Sequence, residues 1–229
     1  MQPELQVLNT GTGALAAERN KVLRNTYILL ALTMVPTVIG AMIGMSFAGV
    51  FMQHPIIASL VMIGAVIGLQ YGIAANRNSG LGVALLLGMT LLMGAWLGPL
   101  LNVALSLRNG PQLVGIAALG TGGIMVAMSA IATTTKRDFS FMGKFLFVGM
   151  IVLLLAAVAN MFFHMPALAL TISALVVVVF SLFLLHDVSR IVNGGETNYI
   201  MAATGVYISL FNIFANLLQL LMAFSGERD

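Results

Sequence analysis

The sequence predicts an all-α integral membrane protein with seven transmembrane helices, the last of which is central. Of its 229 residues, 60% are hydrophobic and 7% charged, and the mean hydropathy is +1.04. Apolar runs of about twenty residues recur along the chain, and a helix of that length matches the roughly 30 Å hydrocarbon core of a bilayer. Seven runs meet this length, at about 22–46, 55–74, 80–101, 112–132, 141–162, 166–191 and 199–224.

The chain divides into a short tail and one membrane domain. Residues 1–20 are polar and small, and we expect a flexible cytoplasmic N-terminal tail. Residues 21–229 form a single seven-helix transmembrane domain, because no connection between runs is long enough to bury a core of its own.

Basic residues in the connections predict the orientation. With the N-terminus inside, the inner side has eight Lys and Arg residues, namely Arg19, Lys21, Arg24, Arg77, Lys136, Arg137, Lys144 and Arg190. The outer side has only Arg108 and Arg228. By the positive-inside rule the N-terminus is cytoplasmic and the C-terminus periplasmic.

Several functional classes are disfavoured. The chain has no cysteine, so disulfides and thiolate chemistry are excluded, and it has no basic run for a nucleic acid. Gly44-Met45-Ser46-Phe47 resembles the nucleophile motif of intramembrane serine proteases. However, Ser46 and His186 are predicted at opposite faces of the membrane, out of hydrogen-bond reach. We expect no enzymatic activity, no cofactor and no metal site.

The last apolar run has a polar stripe. At 100° per residue its members fall on one face: Asn198, Gly205, Ser209, Asn212, Asn216 and Gln219. Lipid does not satisfy amide side chains, so the stripe should face protein or a wet cavity, which predicts a central last helix. Whether the amides only join helices or line a functional cavity stays open.

Asp187 is the one acid within a long apolar run. It lies close to a predicted helix C-terminus, where the helix dipole disfavours an anion, so a partner is needed. Arg190, three residues on, is the first candidate, and His186 and the polar stripe are others. An interfacial ion pair and a titrating functional site are both compatible with this position.

Three pairs of glycines have the small-xxx-small spacing that lets membrane helices approach closely. They are Gly40 and Gly44, Gly64 and Gly68, and Gly94 and Gly98. Packing within the chain is favoured over a dimer interface.

Longer motifs resemble one family. Lys21-Val-Leu-Arg-Asn-Thr-Tyr27, Leu97-Gly-Pro-Leu-Leu-Asn102, Arg137-Asp-Phe-Ser-Phe-Met-Gly143, Asn193-Gly-Gly-Glu-Thr-Asn-Tyr199 and Leu210-Phe-Asn-Ile-Phe214 are similar to segments of the Bax inhibitor-1 (TMBIM) family. The resemblance is closest to its bacterial YccA branch and extends from Lys21 almost to the C-terminus.

The resemblance implies a seven-helix fold with a central last helix, in the bacterial inner membrane. It also implies association with FtsH, a membrane-anchored AAA+ zinc protease, as a substrate and modulator. The alternative is a pH-sensitive calcium or proton leak, which in some members uses two aspartates. Asp187 matches the first of these, but Ser209 stands at the second, so calcium conduction is in doubt.

Overall fold

A computed structural model describes residues 3–135 and 137–226 of the chain, and side chains over 17–135 and 137–225. These residues form eight helices: α1 Pro3–Ser46, α2 Ala48–Gln53, α3 Pro55–Ala75, α4 Gly80–Ser106, α5 Gly110–Thr134, α6 Met142–Phe163, α7 Pro166–Val192 and α8 Tyr199–Gly226. All but the short α2 contain a segment long and apolar enough to cross a membrane. The seven predicted spans and the all-α class are confirmed.

Helix α8 occupies the centre of the bundle. It packs against α1, α3, α4, α5 and α7, whereas α6 packs mainly on α7. Its fully buried side chains include Val206, Tyr207 and Ile213. The Tyr207 hydroxyl lies 2.8 Å from Thr37 Oγ1 on α1 and donates to the Thr90 carbonyl on α4 at 3.3 Å. The predicted central last helix is therefore present, and one side chain of it bonds to two neighbouring helices.

Two of the three glycine pairs are buried against each other. A Cβ at Gly40 would overlap the Leu91 carbonyl oxygen, and one at Gly44 would overlap the Ala95 carbonyl oxygen. From the other side, a Cβ at Gly94 or Gly98 would overlap the backbone of α1. The α1–α4 crossing thus needs glycine on both helices, as expected for packing within the chain. The predicted packing of Gly64 and Gly68 is wrong, because a Cβ at either would meet no atom within 4 Å.

Helix α1 reaches beyond the first apolar run. It begins at Pro3, so most of the predicted tail is helical, and residues 1–2 lie outside the described residues. Ala and Leu at 14–17 are strong helix formers, and the membrane span provides an existing helix that they can extend. The flexibility of the segment stays a prediction.

Candidate functional site

The turn between α7 and α8 reverses the chain around a left-handed glycine. Helix α7 ends at Val192, and Gly194 has φ +78°, a conformation that favours glycine. The amides of Gly195 and Glu196 both donate to the Arg190 carbonyl, at 2.8 and 3.1 Å. This is the usual glycine-based termination of a helix, and it satisfies a carbonyl that the last turn leaves free.

Asn198 both caps α8 and connects it to another turn. Its Oδ1 accepts from the amides of Ile200 and Met201, at 3.0 and 3.1 Å, which is the hydrogen bonding of an N-cap residue. Its Nδ2 donates to the Arg77 carbonyl and to Asn78 Oδ1, both at 2.8 Å. One side chain therefore fixes the start of the central helix to the connection between α3 and α4.

We call this end of the bundle the basic end, because four arginines lie there: Arg19, Arg77, Arg137 and Arg190. The Arg19 guanidinium on α1 lies against Gly194, such that a Cβ at 194 would be 3.0 Å from Nε. The first helix and the α7–α8 turn are thereby in contact.

Asp187 is paired with its neighbour in sequence. His186 Nδ1 lies 3.1 Å from Asp187 Oδ1, and the two side chains are 11% and 19% exposed. The predicted first partner, Arg190, instead donates from Nη2 to Glu196 Oε2 at 3.2 Å. Of the candidate partners, His186 is therefore the one that contacts Asp187. The glycine turn brings Glu196 back over the last turn of α7, where Glu196 takes Arg190 instead. Among the described residues, Arg190–Glu196 is the one contact between an arginine or lysine and a carboxylate, and His186–Asp187 is a hydrogen-bonding contact.

The connection between α5 and α6 is held against the same end of α7. Ser189 is buried; its Oγ accepts from the Phe139 amide at 3.1 Å and from Asn193 Nδ2 at 3.1 Å. His186 Nε2 faces the first turn of α6, where a Cβ at Gly143 would lie 2.7 Å away. The α5–α6 connection and the first turn of α6 thus lie against the last two turns of α7.

Asp138 in this connection is exposed to solvent. Its Oδ1 accepts from the Ser140 amide at 2.9 Å. Hydrogen bonds from the Ser140 side chain and backbone hold the pKa of the Asp138 carboxyl below its usual range. This acid lies outside the membrane-spanning segments and provides a matched comparison for Asp187.

A pocket of about 190 Å³ lies beside Asp187. Polar groups from three parts of the chain line it: Gln70 from α3, Asp187 and Arg190 from α7, and Glu196 from the turn. Helix α8 forms its floor with Thr204 and Gly205. The sequence patterns pointed to Asp187, Arg190 and Gly205. They gave no sign of Gln70 and Glu196, which become neighbours of Asp187 only through tertiary packing.

The polar stripe of α8 is less buried than predicted. Asn198 is the cap preceding the helix, and Gln219 is exposed. Asn212 and Asn216 are half-buried, and each donates to a carbonyl one turn earlier in its own helix, at 2.9 Å. A helix can offer its own carbonyls to such amides, so these bonds do not by themselves require neighbouring helices, and a functional role for the stripe stays a prediction.

Ser209, the position that the family resemblance pairs with Asp187, is buried at 2% exposure. It lies one turn beyond Gly205 and does not line the pocket. Over the described part of the chain, no group of three or more His, Cys, Asp or Glu side chains could hold a metal ion. Ser46 is exposed, and its hydroxyl donates to the Met42 carbonyl in its own helix.

The fold and site define a multi-pass, all-α membrane protein with seven spans, of which the last occupies the centre. The family model described as "Inhibitor of apoptosis-promoting Bax1" matches residues 19–226. The chain belongs to this Bax inhibitor-1 family.

Relatives from several bacteria match nearly the whole chain. A Vibrio cholerae protein described as an uncharacterized membrane protein is 43% identical, covering 89% of this chain and 90% of its own. An uncharacterized protein of Neisseria meningitidis strain Z2491 is 40% identical, covering 91% and 93%. The Escherichia coli K12 protein named "Modulator of FtsH protease YccA" is 38% identical, covering 88% and 90%.

Proposed function

We propose that this chain binds an FtsH-type membrane protease and modulates its proteolysis, restraining it or competing as a substrate. The observation that carries the proposal is the 38% identity to the E. coli modulator over 88% of this chain. An "inner membrane protein YccA" from E. coli O6:H1 has the same similarity, which supports residence in a bacterial inner membrane. The family and these names favour a regulatory or channel-like protein over an enzyme.

The proposal includes an orientation with the N-terminus in the cytoplasm and the C-terminus in the periplasm. It rests on the excess of basic residues at the basic end. This orientation places α1 before Lys21 on the cytoplasmic side, where an ATP-driven protease could engage it. Reporter fusions after Asp229 test it: a periplasmic signal is expected, and a cytoplasmic one would contradict the orientation.

Binding is tested by purifying the tagged, full-length chain from native membranes in a mild detergent and identifying co-purifying proteins by mass spectrometry. FtsH should be enriched over a tagged multi-pass protein of unrelated family. A variant of the chain that lacks residues 3–17 and keeps every membrane span is purified in the same way for comparison. Equal recovery of FtsH with the chain and with the unrelated protein would contradict the proposal.

A pH-sensitive calcium or proton leak is the second candidate. One observation favours it: Asp187 shares its pocket with a second carboxylate, Glu196. Against it, Glu196 is paired with Arg190 and Asp187 with His186, so neither acid is free of a partner. The protease proposal therefore comes first.

A further inference from the structure

The pocket beside Asp187 lies in a groove between helices that pack on different neighbours. Helix α3 packs chiefly on α4, and α7 chiefly on α8, α5 and α6. The groove over α8 is therefore bordered by α3 on one side and α7 on the other. Gln70, on the α3 side, is exposed. Because the pocket lies within about two turns of the helix ends, its depth is that of lipid headgroups and the first acyl carbons.

Carboxyl groups predominate among the ionisable side chains of the lining. Asp187 and Glu196 contribute two carboxyls, and Arg190 contributes the one guanidinium. The Oδ1 atom of Asp187 contacts His186 Nδ1, whereas its Oδ2 atom faces Gly205 on the floor of the pocket. A carboxylate in partly apolar surroundings favours a cationic occupant, because the apolar side chains around it offer no compensating charge.

The arrangement of donors and acceptors selects among cations. A calcium ion takes about six to eight oxygen ligands, more than Asp187, Glu196 and Gln70 offer with Glu196 already bonded. A primary ammonium needs only about three acceptors, and a quaternary ammonium donates no hydrogen bond at all. Arg190 is 38% exposed, which leaves guanidinium N–H groups free to meet an anion beside the ammonium.

A primary ammonium and a phosphate lie a few ångströms apart in the headgroup of an aminophospholipid, at the depth of this pocket. We propose that this pocket binds the headgroup of an aminophospholipid such as phosphatidylethanolamine. The ammonium bonds to Asp187 and Gln70, and the phosphate bonds to Arg190. Met201 and Ile208, the larger apolar side chains of the lining, lie where the acyl chains leave the pocket. This inference does not depend on the protease proposal.

The test is native mass spectrometry of the purified full-length chain in a mild detergent with added lipids. Phosphatidylethanolamine, its mono- and dimethyl derivatives, phosphatidylcholine and phosphatidylglycerol are compared at equal chain length. Retention should fall with each added methyl and be about tenfold lower for phosphatidylcholine, as expected for loss of charge-assisted hydrogen bonds. Equal retention across the methyl series would overturn the proposal without requiring any variant.

Lipid retention by two variants tests whether the lipid binds in this pocket. Asp187→Asn should reduce retention of phosphatidylethanolamine about tenfold, to the level of phosphatidylcholine. The matched control, Asp138→Asn, removes an exposed carboxylate at the same end and should leave retention unchanged. An equal loss in both variants would show binding by surface charge and would overturn the assignment to this pocket.

A soluble competitor distinguishes the lipid from a free amine. Glycerophosphoethanolamine has the same headgroup without acyl chains, so it should displace the lipid only at a large excess. Displacement at equimolar concentration would mean that the pocket recognises a soluble amine and would contradict the lipid assignment.

Discussion

The Oδ2 atom of Asp187 lies against Gly205 of the central helix, and a Cβ at position 205 would come within 2.8 Å of it. The carboxylate is thereby directed at the backbone of α8, one turn before Ser209. Because residues four apart share a helix face, an acid at 209 would stand next to Asp187 on the same side of α8.

The position of Asp187, one turn from Ser209, bears on whether the chain conducts ions. The purified chain in liposomes should leak calcium weakly or not at all, because Asp187 lacks a second free carboxylate. Ser209→Asp should introduce pH-dependent flux, since two adjacent acids share a proton and titrate as a pair. The flux is measured with the native chain, Asp187→Asn and Ser209→Asp side by side. Robust native flux that Asp187→Asn abolishes would place the leak ahead of the protease proposal.

The α1–α4 crossing should be sensitive to a single methyl group. Gly44→Ala and Gly98→Ala place a Cβ on the backbone of the facing helix, which cannot yield as a flexible side chain does. Each should lower the free energy of unfolding by about 1–3 kcal/mol or more. Gly64→Ala, on the open face of α3, is the control and should leave stability unchanged or raise it by up to about 1 kcal/mol, because alanine favours the helix and meets no neighbour there. Thermal unfolding in detergent compares them; similar midpoints for all three would refute the close crossing.

Asn198 should matter more for stability than the amides further along α8. Asn198→Ala removes the cap and two bonds to the α3–α4 connection, so a loss of about 1–3 kcal/mol is expected. Asn216→Leu gives up one bond within its own helix and gains apolar contact, so its effect should stay below about 1 kcal/mol. Unfolding measurements that rank the two in the opposite order would contradict this assignment.

The segment before the first span should serve as the handle for an ATP-driven protease. Its sequence is rich in glycine and alanine, and a protease that pulls on its substrates needs a segment that it can unfold easily. Deleting residues 3–17 should leave the melting temperature unchanged and prolong the half-life of the chain in cells that contain FtsH. Pulse-chase labelling measures this, and turnover at the native rate would show that the segment is not the handle.

The sequence was sufficient for the parts of the fold that the membrane dictates. Span length follows from bilayer thickness, so seven helices could be located from hydropathy alone. The central α8 could be inferred from its polar stripe, although Asn212 and Asn216 are satisfied by their own helix. Helix α8 is central as predicted, but the hydrogen bonds of these two amides do not require that position.

The pairing of charges could not be read from spacing. Arg190 lies one turn from Asp187 on α7, yet Gly194 turns the chain so that Glu196 reaches Arg190 instead. Gln70 lies more than a hundred positions from Asp187 and borders its pocket only because α3 and α7 both flank α8. Such neighbours depend on how helices are arranged, which periodicity within one helix does not specify.

Reconstituted proteolysis tests directly whether this chain modulates FtsH. Purified FtsH is placed in liposomes with a membrane substrate, ATP and increasing amounts of the full-length chain, with an unrelated seven-helix protein as the control. We expect degradation of the substrate to slow as the chain is added, whereas the control protein should have no effect. Degradation at the same rate across the titration, with no FtsH co-purifying with the chain, would contradict it.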